Sequence, residues 1–297
     1  MDKIAIVVDS TNSMPQTLIN DLPLIVVPLQ IHVGLDSYLD GVDISPDEFY
    51  RLLLETPTRP KTSAPSPESF LAAFRSLAIH YSHIACITLS SNLSATYHAA
   101  LSASNTFKHE FPKTVISVID SETAGGGLGL MALQAARNVA AGQSWSDLIA
   151  TFDIMIQTVY FIGILDDLKY LAEGGRIPKF AAMASSLLSF KIILGIKEGK
   201  IVPLGKARTQ SKAIQKVMEM VGDIASVGTT QAVIMYSGSQ ESALRLKSAL
   251  EEHLHPTETL FIPFTPVIGA HTGPGLVGLA LLPTLQNTSN PQSFLHN

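Results

Sequence analysis

Residues 264–281, FTPVIGAHTGPGLVGLAL, place one imidazole in an otherwise apolar, glycine-rich stretch. His271 is the only side chain there that titrates near neutral pH, and Thr272 adds a hydroxyl next to it. A lone histidine in such a setting is either a satisfied core residue or a group that meets a ligand. The surrounding Gly269, Gly273 and Gly275 favour a ligand, because glycine allows backbone N–H groups to approach one closely.

Short hydroxyl side chains recur at four places where apolar strands are predicted to end. In open α/β sheets, ligands bind beyond the carboxyl ends of the strands. Hydroxyls and free N–H groups at helix starts bind a carboxylate without a titrating cation. Each loop alone is explained by ordinary helix capping, but together they favour one shared polar site. The four segments are VVDST, KTSAPSP, LSSNLSATY and DSETAGGG.

Two arginines stand out because charged residues make up only 15% of the chain, against about 25% in an average globular protein. Arg176 lies in EGGRIPK and Arg208 in GKART. The planar guanidinium fits carboxylate or phosphate. A solvated arginine at a turn is the alternative for each.

Other chemistries find less support. Ser94, His271 and either Asp9 or Asp120 offer the residue types of a hydrolase triad, but the nucleophile-elbow pattern G-x-S-x-G is missing. The glycines of DSETAGGGLG do not follow G-x-G-x-x-G, and close helix–strand packing explains them better than a nucleotide. Without a P-loop, H-E-x-x-H or a Cys/His ligand set, we expect no metal and no cofactor.

Composition sets the broad class. The 297 residues are 46% hydrophobic with a net charge of −5. This composition predicts a large interior or an apolar cavity, and it argues against nucleic-acid binding, which requires a basic face. The single Cys86 excludes an internal disulfide and fits a reducing compartment. No signal peptide or membrane span is evident, so we expect a soluble, cytoplasmic protein.

Strands and helices alternate in the first half of the chain. Apolar β-branched runs predict strands, and Ser45 and Ser66, each followed by proline and acids, predict helix starts. At least three strand–loop–helix units predict an α/β domain with a parallel sheet over residues 1–160. The predicted strands are KIAIVVDS, LPLIVVPLQIHV, HIACITLS and TVISVID.

Residues 161–297 predict a second, mixed α+β domain. A hairpin turns at residues 198–200, and helices flank Gly174 and Gly175, the second over 180–190 as a candidate lid. Residues 264–281 are predicted to form a closing strand region. The tail from about residue 286 is expected to be disordered.

Seven segments, in order along nearly the whole chain, resemble the DegV family, whose members act as fatty-acid-binding subunits of bacterial fatty acid kinase. Departures are modest: Ala64 stands where glutamine is usual, Ala95 where glycine is usual and Ile192 where proline is usual. The matching segments are IVVDST, KTSAPSP, SSNLSATY, DSETAGGGLG, LKYLAEGGRI, GKIVPLGKARTQSKAI and PVIGAHTGPGLVGLA.

The resemblance implies a fatty acid in an apolar tunnel between two domains, its carboxylate bonded by hydroxyls matching Thr62 and Ser94. A separate ATP-dependent kinase subunit would phosphorylate this carboxylate for phospholipid synthesis, so this chain would not itself be an enzyme. Arg208 would lie on the surface that meets the kinase. The ligand-binding set so predicted is Thr62, Ser63, Ser91, Ser94, Arg176, His271 and Thr272.

Two alternatives stay open at this point: a serine hydrolase using Ser94 and His271, and a lipid-sensing module without a kinase partner. The sequence also leaves open the acyl chain length and saturation, the oligomeric state, transient membrane contact during ligand exchange, and the effect of Ala64.

Overall fold

The computed structural model describes residues 2–177, 189–225 and 230–283. Within these ranges the strands are β1 Ile4–Asp9, β2 Leu24–Val27, β3 Gln30–Val33, β4 Asp36–Leu39, β5 Lys61–Ser63, β6 His83–Thr88, β7 Val115–Asp120, β8 Tyr160–Leu165, β9 Lys191–Lys197, β10 Lys200–Ala207, β11 Thr230–Tyr236, β12 Glu258–Pro263 and β13 Val277–Pro283. The helices are α1 Gln16–Ile19, α2 Pro46–Glu55, α3 Pro67–Ala78, α4 Thr96–Glu110, α5 Gly126–Ala140, α6 Trp145–Thr158, α7 Lys169–Glu173, α8 Gln210–Ala225, α9 Glu241–His253 and α10 Pro266–Thr272.

Two large sheets form the frame. The first has the order β2-β1-β6-β7 with all pairs parallel, which confirms the predicted parallel sheet in the first half. The second has the order β10-β9-β8-β13-β11-β12 and is antiparallel except between β11 and β12, which confirms a mixed second half. The chain passes from one sheet to the other between α6 and β8. We keep the division into domains 1–160 and 161–297 as a proposal.

A third, antiparallel sheet of order β4-β3-β5 was not expected. The run LPLIVVPLQIHV, predicted as one strand, is divided between β2 in the parallel sheet and β3 in this small one. Pro28, between them, has no N–H for a ladder hydrogen bond, so the strand ends there. The small sheet positions Thr62 on β5, opposite Ile31.

Helix α5 lies between the two large sheets and contacts β1, β6, β8, β11 and β13. Its first turns are buried all around. A Cβ on Gly126 would lie 2.8 Å from the Met235 sulfur, and one on Gly127 would lie 2.6 Å from the Thr123 hydroxyl. The glycine-rich motif therefore permits close helix packing, as expected.

The prediction of a strand for the whole of residues 264–281 was wrong. Pro266 opens the short helix α10, which ends at Gly273 with a positive φ of 71°, and β13 begins only at Val277. His271 thus lies in the last turn of a helix. The hairpin at Glu198–Gly199 is confirmed, with left-handed φ values of 51° and 72° as a two-residue turn requires. Of the predicted helix over 180–190, residues 180–188 lie outside the described part of the chain.

Candidate functional site

An apolar cavity of about 90 Å³ lies inside the hydrophobic core that joins the two large sheets. Its walls come from the loop after β6, from strands β8, β9 and β10, and from α10. The apolar lining residues are Leu29, Leu89, Leu93, Ala124, Phe161, Gly163, Leu165, Leu171, Leu194, Gly195, Ile196, Ile201, Val267, Ile268 and Leu276. Most of these residues were not singled out in the sequence, because a lining leucine and a core leucine follow the same pattern.

The polar lining consists of Thr62, Ser94, Arg176, His271 and Thr272. Five of the seven predicted ligand-binding residues are therefore placed around one cavity. Thr62 Oγ1 and His271 Nε2 are hydrogen-bonded at 2.6 Å. The Ser94 hydroxyl accepts the Thr96 N–H at 3.3 Å, just before α4. The Thr272 hydroxyl donates to the Ile268 carbonyl one helical turn back, at 3.0 Å.

His271 is held in its neutral form. Burial is the main cause and the Arg176 charge the second, and together they lower the pKa of His271 to about 4. A neutral imidazole has one N–H donor and one acceptor nitrogen. When His271 Nε2–H donates to Thr62 Oγ1, the Thr62 hydroxyl is free to donate to a third polar group. The pair then offers a hydrogen bond without adding charge.

Arg176 supplies positive charge at the same place. Its Nη1 donates to the Gly174 carbonyl at 2.5 Å and its Nε to the Leu93 carbonyl at 3.4 Å. Burial lowers the pKa of Arg176 from its ordinary value, but an arginine stays protonated in proteins. Among the described residues, no carboxylate pairs with it. A half-buried cation whose bonds within the described part of the chain go only to carbonyls is suited to an anionic ligand.

A wider groove of about 400 Å³ borders the cavity and shares Thr62, Arg176 and His271 with it. It adds Arg59, which forms an ion pair with Glu173 at 3.2 Å and stacks 3.7 Å above the Tyr170 ring. Exposed Lys61 also lines it. The polar end of the apolar cavity therefore adjoins a groove with more cations than acids. Sequence reasoning did not predict this groove, although the cationic run Arg59-Pro60-Lys61 directly before Thr62 could have indicated it.

Ser63 and Ser91 are not among the cavity-lining residues. Side chains alternate across a strand, so with Thr62 facing the cavity, Ser63 lies on the other side of β5 and contacts His32 at 3.0 Å. The Ser91 N–H donates to the Asp120 carboxylate at 3.1 Å. Arg208 is exposed and lies 5.2 Å above the Phe190 ring, outside the cavity.

The expected role of the glycines around His271 was wrong. The N–H groups of Gly269, Gly273 and Gly275 already donate to the carbonyls of Thr265, Gly269 and Ser237. The space that glycine leaves serves packing instead: a Cβ on Gly269 would lie 2.7 Å from the Tyr50 hydroxyl, and one on Gly273 would lie 2.5 Å from the Tyr170 ring.

The hydrogen bonds do not assemble a serine–histidine–aspartate triad from the candidates. His271 Nε2 bonds Thr62 rather than Ser94, and the Asp120 carboxylate accepts from the N–H groups of Ser91 and Glu122. Asp9 is fully buried and accepts from the Leu89 N–H at 2.6 Å, so it supports the cavity wall.

Two buried carboxylates lie behind this wall. Asp40 accepts from the Ser10 hydroxyl at 2.6 Å, and Asp9 precedes Ser10 in the chain. Burial is the main cause that raises the pKa of Asp9 to about 6 and that of Asp40 to about 7. The sequence had not indicated Asp40.

Over the described residues, no helix is long and apolar enough to cross a membrane. The same residues contain no group of three or more His, Cys, Asp or Glu side chains placed to hold a metal ion.

Comparison with known proteins agrees with these observations. The sequence profile described as "Uncharacterised protein, DegV family" matches residues 3–284. A DegV domain-containing protein of Caldanaerobacter subterraneus subsp. tengcongensis is 32% identical over 280 residues, covering 94% of this chain and 98% of the relative.

Two solved structures show the same fold. A fatty-acid-binding DegV family protein from Thermus thermophilus has a TM-score of 0.88 at 31% identity, covering 95% of this chain and all of its own. DegV of Bacillus subtilis, described as a fatty acid binding protein, has a TM-score of 0.87 at 29% identity, covering 96% of this chain and all of its own. The chain belongs to the DegV family.

Proposed function

We propose that this chain binds a long-chain fatty acid and presents its carboxylate to a partner ATP-dependent kinase, which converts it to an acyl phosphate. The observation that carries the binding proposal is the pairing of a narrow apolar cavity with one polar end at Thr62, Ser94, Arg176 and His271. A fatty acid has the same division into a long apolar chain and one anionic head. The relatives described as fatty-acid-binding support it.

Burial of the acyl chain supplies most of the binding free energy. Each buried methylene contributes about 0.8 kcal/mol. A long chain therefore gains on the order of 10 kcal/mol before the costs of ordering and lost freedom are subtracted. The apolar walls from β8, β9, β10, α10 and the loop after β6 add to the hydrophobic content of the chain.

The carboxylate is stabilised at the polar end. The neutral His271–Thr62 pair and the Ser94 hydroxyl can donate to it, and Arg176 provides charge. Two carbonyls already accept from the Nε and Nη1 of Arg176, which leaves fewer N–H groups for a two-pronged clamp on the carboxylate. A clamp of that kind would stabilise the unreacted carboxylate and oppose its conversion.

The phosphorylation step is assigned to the partner. A carboxylate oxygen attacks the γ-phosphorus of ATP, the new O–P bond forms, and the bond to the leaving ADP breaks. The groove beside Thr62, Arg176 and His271 gives a route by which the partner reaches the carboxylate. Exposed Arg208 is proposed to contact the kinase, as the family resemblance implies.

The test is a reconstituted reaction. The purified protein, loaded with hexadecanoic acid, is mixed with ATP and a bacterial fatty acid kinase catalytic subunit, and acyl phosphate is trapped with hydroxylamine as the hydroxamate. Product that requires all components supports the proposal. A protein that binds the fatty acid but gives no product would indicate a lipid sensor, and hydrolysis of esters without ATP would indicate a hydrolase.

A further inference from the structure

The cavity has a polar end and an apolar end, and strand β8 runs between them. Its polar end lies near Arg176, whose Nε reaches the Leu93 carbonyl. Phe161 also lines the cavity, and its ring packs edge-on against that of Phe264 with centroids 6.3 Å apart. The chain runs from Phe161 along β8 and then through α7 to Arg176, so Phe161 marks the apolar end.

Alternate residues of β8 face the cavity. Phe161, Gly163 and Leu165 line it, whereas Ile162 and Ile164 belong to the core on the opposite face of the sheet. A strand rises by about 3.3 Å per residue, so Leu165 and Phe161 are roughly 13 Å apart. Gly163 lies midway between them, where an acyl chain entering from the polar end must pass.

Gly163 leaves this passage without a side chain. A Cβ built there would lie 3.0 Å from Leu276 Cδ1, on the neighbouring wall of the cavity. That distance is shorter than an ordinary van der Waals contact. A methyl group at position 163 would therefore displace the Leu276 side chain. Because Leu276 lines the cavity, we expect the displaced side chain to occupy part of it.

We propose that Gly163, together with Leu276, sets the length of acyl chain that the cavity accepts. The glycine lets the chain extend past Leu276 towards Phe161, and a larger residue stops it at that point. This inference rests on the proposed fatty acid binding. It makes Gly163 a specificity-determining residue for long, as opposed to medium-length, acyl chains.

The same sheet provides a matched control that does not line the cavity. Gly205 lies on β10 opposite Ile193, and a Cβ there would make ordinary contacts at 3.8 Å with Ile193 Cδ1 and Met220 Cε. Both of these side chains pack in the core on the other face of the sheet. Gly205→Ala thus adds the same methyl group to the same sheet without narrowing the cavity.

The experiment measures dissociation constants for octanoic, dodecanoic and hexadecanoic acids by fluorescence displacement or calorimetry. We expect Gly163→Ala to bind hexadecanoic acid about tenfold more weakly, as when roughly two methylenes remain outside the cavity. Octanoic acid should bind as to the wild type. Gly205→Ala should keep the wild-type order of affinities, and adding Leu276→Ala to Gly163→Ala should restore binding of hexadecanoic acid.

An unchanged length profile in Gly163→Ala would overturn the inference, and so would the same shift in Gly205→Ala. If Gly163→Ala fails to fold, Leu276→Phe narrows the passage from the neighbouring wall, and its failure to discriminate against hexadecanoic acid would likewise overturn the inference. Binding of no fatty acid by the wild type would instead overturn the proposed function itself, and this inference with it.

Discussion

The Thr62 hydroxyl and the His271 imidazole lie 2.6 Å apart, although 209 positions separate them in the chain. Thr62 belongs to the short strand β5 and His271 to the last turn of α10, and these two elements pack against each other. The polar end of the cavity therefore forms only when the small antiparallel sheet and the C-terminal segment come together.

Thr62→Ala should weaken fatty acid binding while leaving the cavity walls intact. The change removes one donor to the carboxylate and leaves His271 Nε2 without its partner. A hydrogen bond to a charged group contributes about 1.5–3 kcal/mol, so affinity should fall by at least about tenfold. Calorimetric titration with hexadecanoic acid measures it. Thr62→Ser keeps the hydroxyl and should retain most of the affinity; equal losses in both variants would contradict the role of the hydroxyl.

His271 makes folding stability depend on pH on the acid side. The unfolded chain protonates this histidine near pH 6.5, whereas the pKa in the folded protein is about 4. Between these two pH values the unfolded state binds more protons than the folded state. His271 therefore lowers the free energy of unfolding as the pH falls, by about 3 kcal/mol over the whole interval. His271→Gln should remove this contribution, and urea unfolding at pH 4.5 and 7 measures the difference. The same pH dependence in the variant and the wild type would contradict the neutral state of His271.

Asp40 should change the pH dependence of folding stability in the direction opposite to His271. Its pKa is raised from 3.8 to about 7, chiefly by burial, so between these values the folded state holds the extra proton. The contribution of Asp40 to stability is therefore present at low pH and lost as the pH rises through about 7. Asp40→Asn should flatten the stability profile between pH 5 and 8, as unfolding midpoints in urea will show. A steeper profile in the variant would show that the sign is wrong.

Ser90→Ala should speed release of the ligand. The Ser90 hydroxyl donates to the Gly199 carbonyl at 2.7 Å, which ties the turn of the β9–β10 hairpin to the loop after β6. Both segments line the cavity, so loss of this bond should let them separate more often. A hydrogen bond contributes about 1 kcal/mol, and the release rate should rise about fivefold. Stopped-flow displacement measures the rate.

Ser76→Ala provides the control for this prediction. Ser76 is exposed on α3, and its hydroxyl donates to the nearby Ala73 carbonyl. Its loss should leave the release rate unchanged. If Ser90→Ala and Ser76→Ala released the ligand at the same rate, the hairpin contact would have no part in retention.

Arg208→Ala should reduce kinase-dependent acyl phosphate formation without changing fatty acid affinity. Arg208 is exposed, stacks on Phe190 and lies outside the cavity. Lys212→Ala, an exposed cation on the first turns of α8, is the matched control. The readout is the concentration of this protein that gives half-maximal hydroxamate formation. Equal behaviour of the two variants would remove Arg208 from the partner surface and favour a lipid sensor.

Sequence reasoning succeeded where the signal was local. Ser45 and Ser66 cap the helices α2 and α3 as predicted, each accepting an N–H three residues on. The hairpin at residues 198–199 follows from its turn residues. It failed where the surrounding structure decides the outcome. Pro28 divides an apolar run between two sheets, and the seven residues of α10 were predicted as part of a strand region because most of them are apolar.

The site could be predicted only in part. Its residue types were visible, and the family resemblance indicated both Thr62 and His271. No local pattern shows that Thr62 faces the cavity while Ser63 faces away, since that depends on how β5 pairs with β3. Lining residues such as Gly163 also look like ordinary strand residues until the opposite wall is in place.

Fatty acid binding is tested most directly by mass spectrometry of the purified protein, first under native conditions and then after organic extraction. We expect long-chain fatty acid at close to one molecule per chain, with occupancy strongly reduced in Thr62→Ala and in Ser94→Ala. A ligand-free protein that also fails to take up added fatty acid would overturn the proposed function.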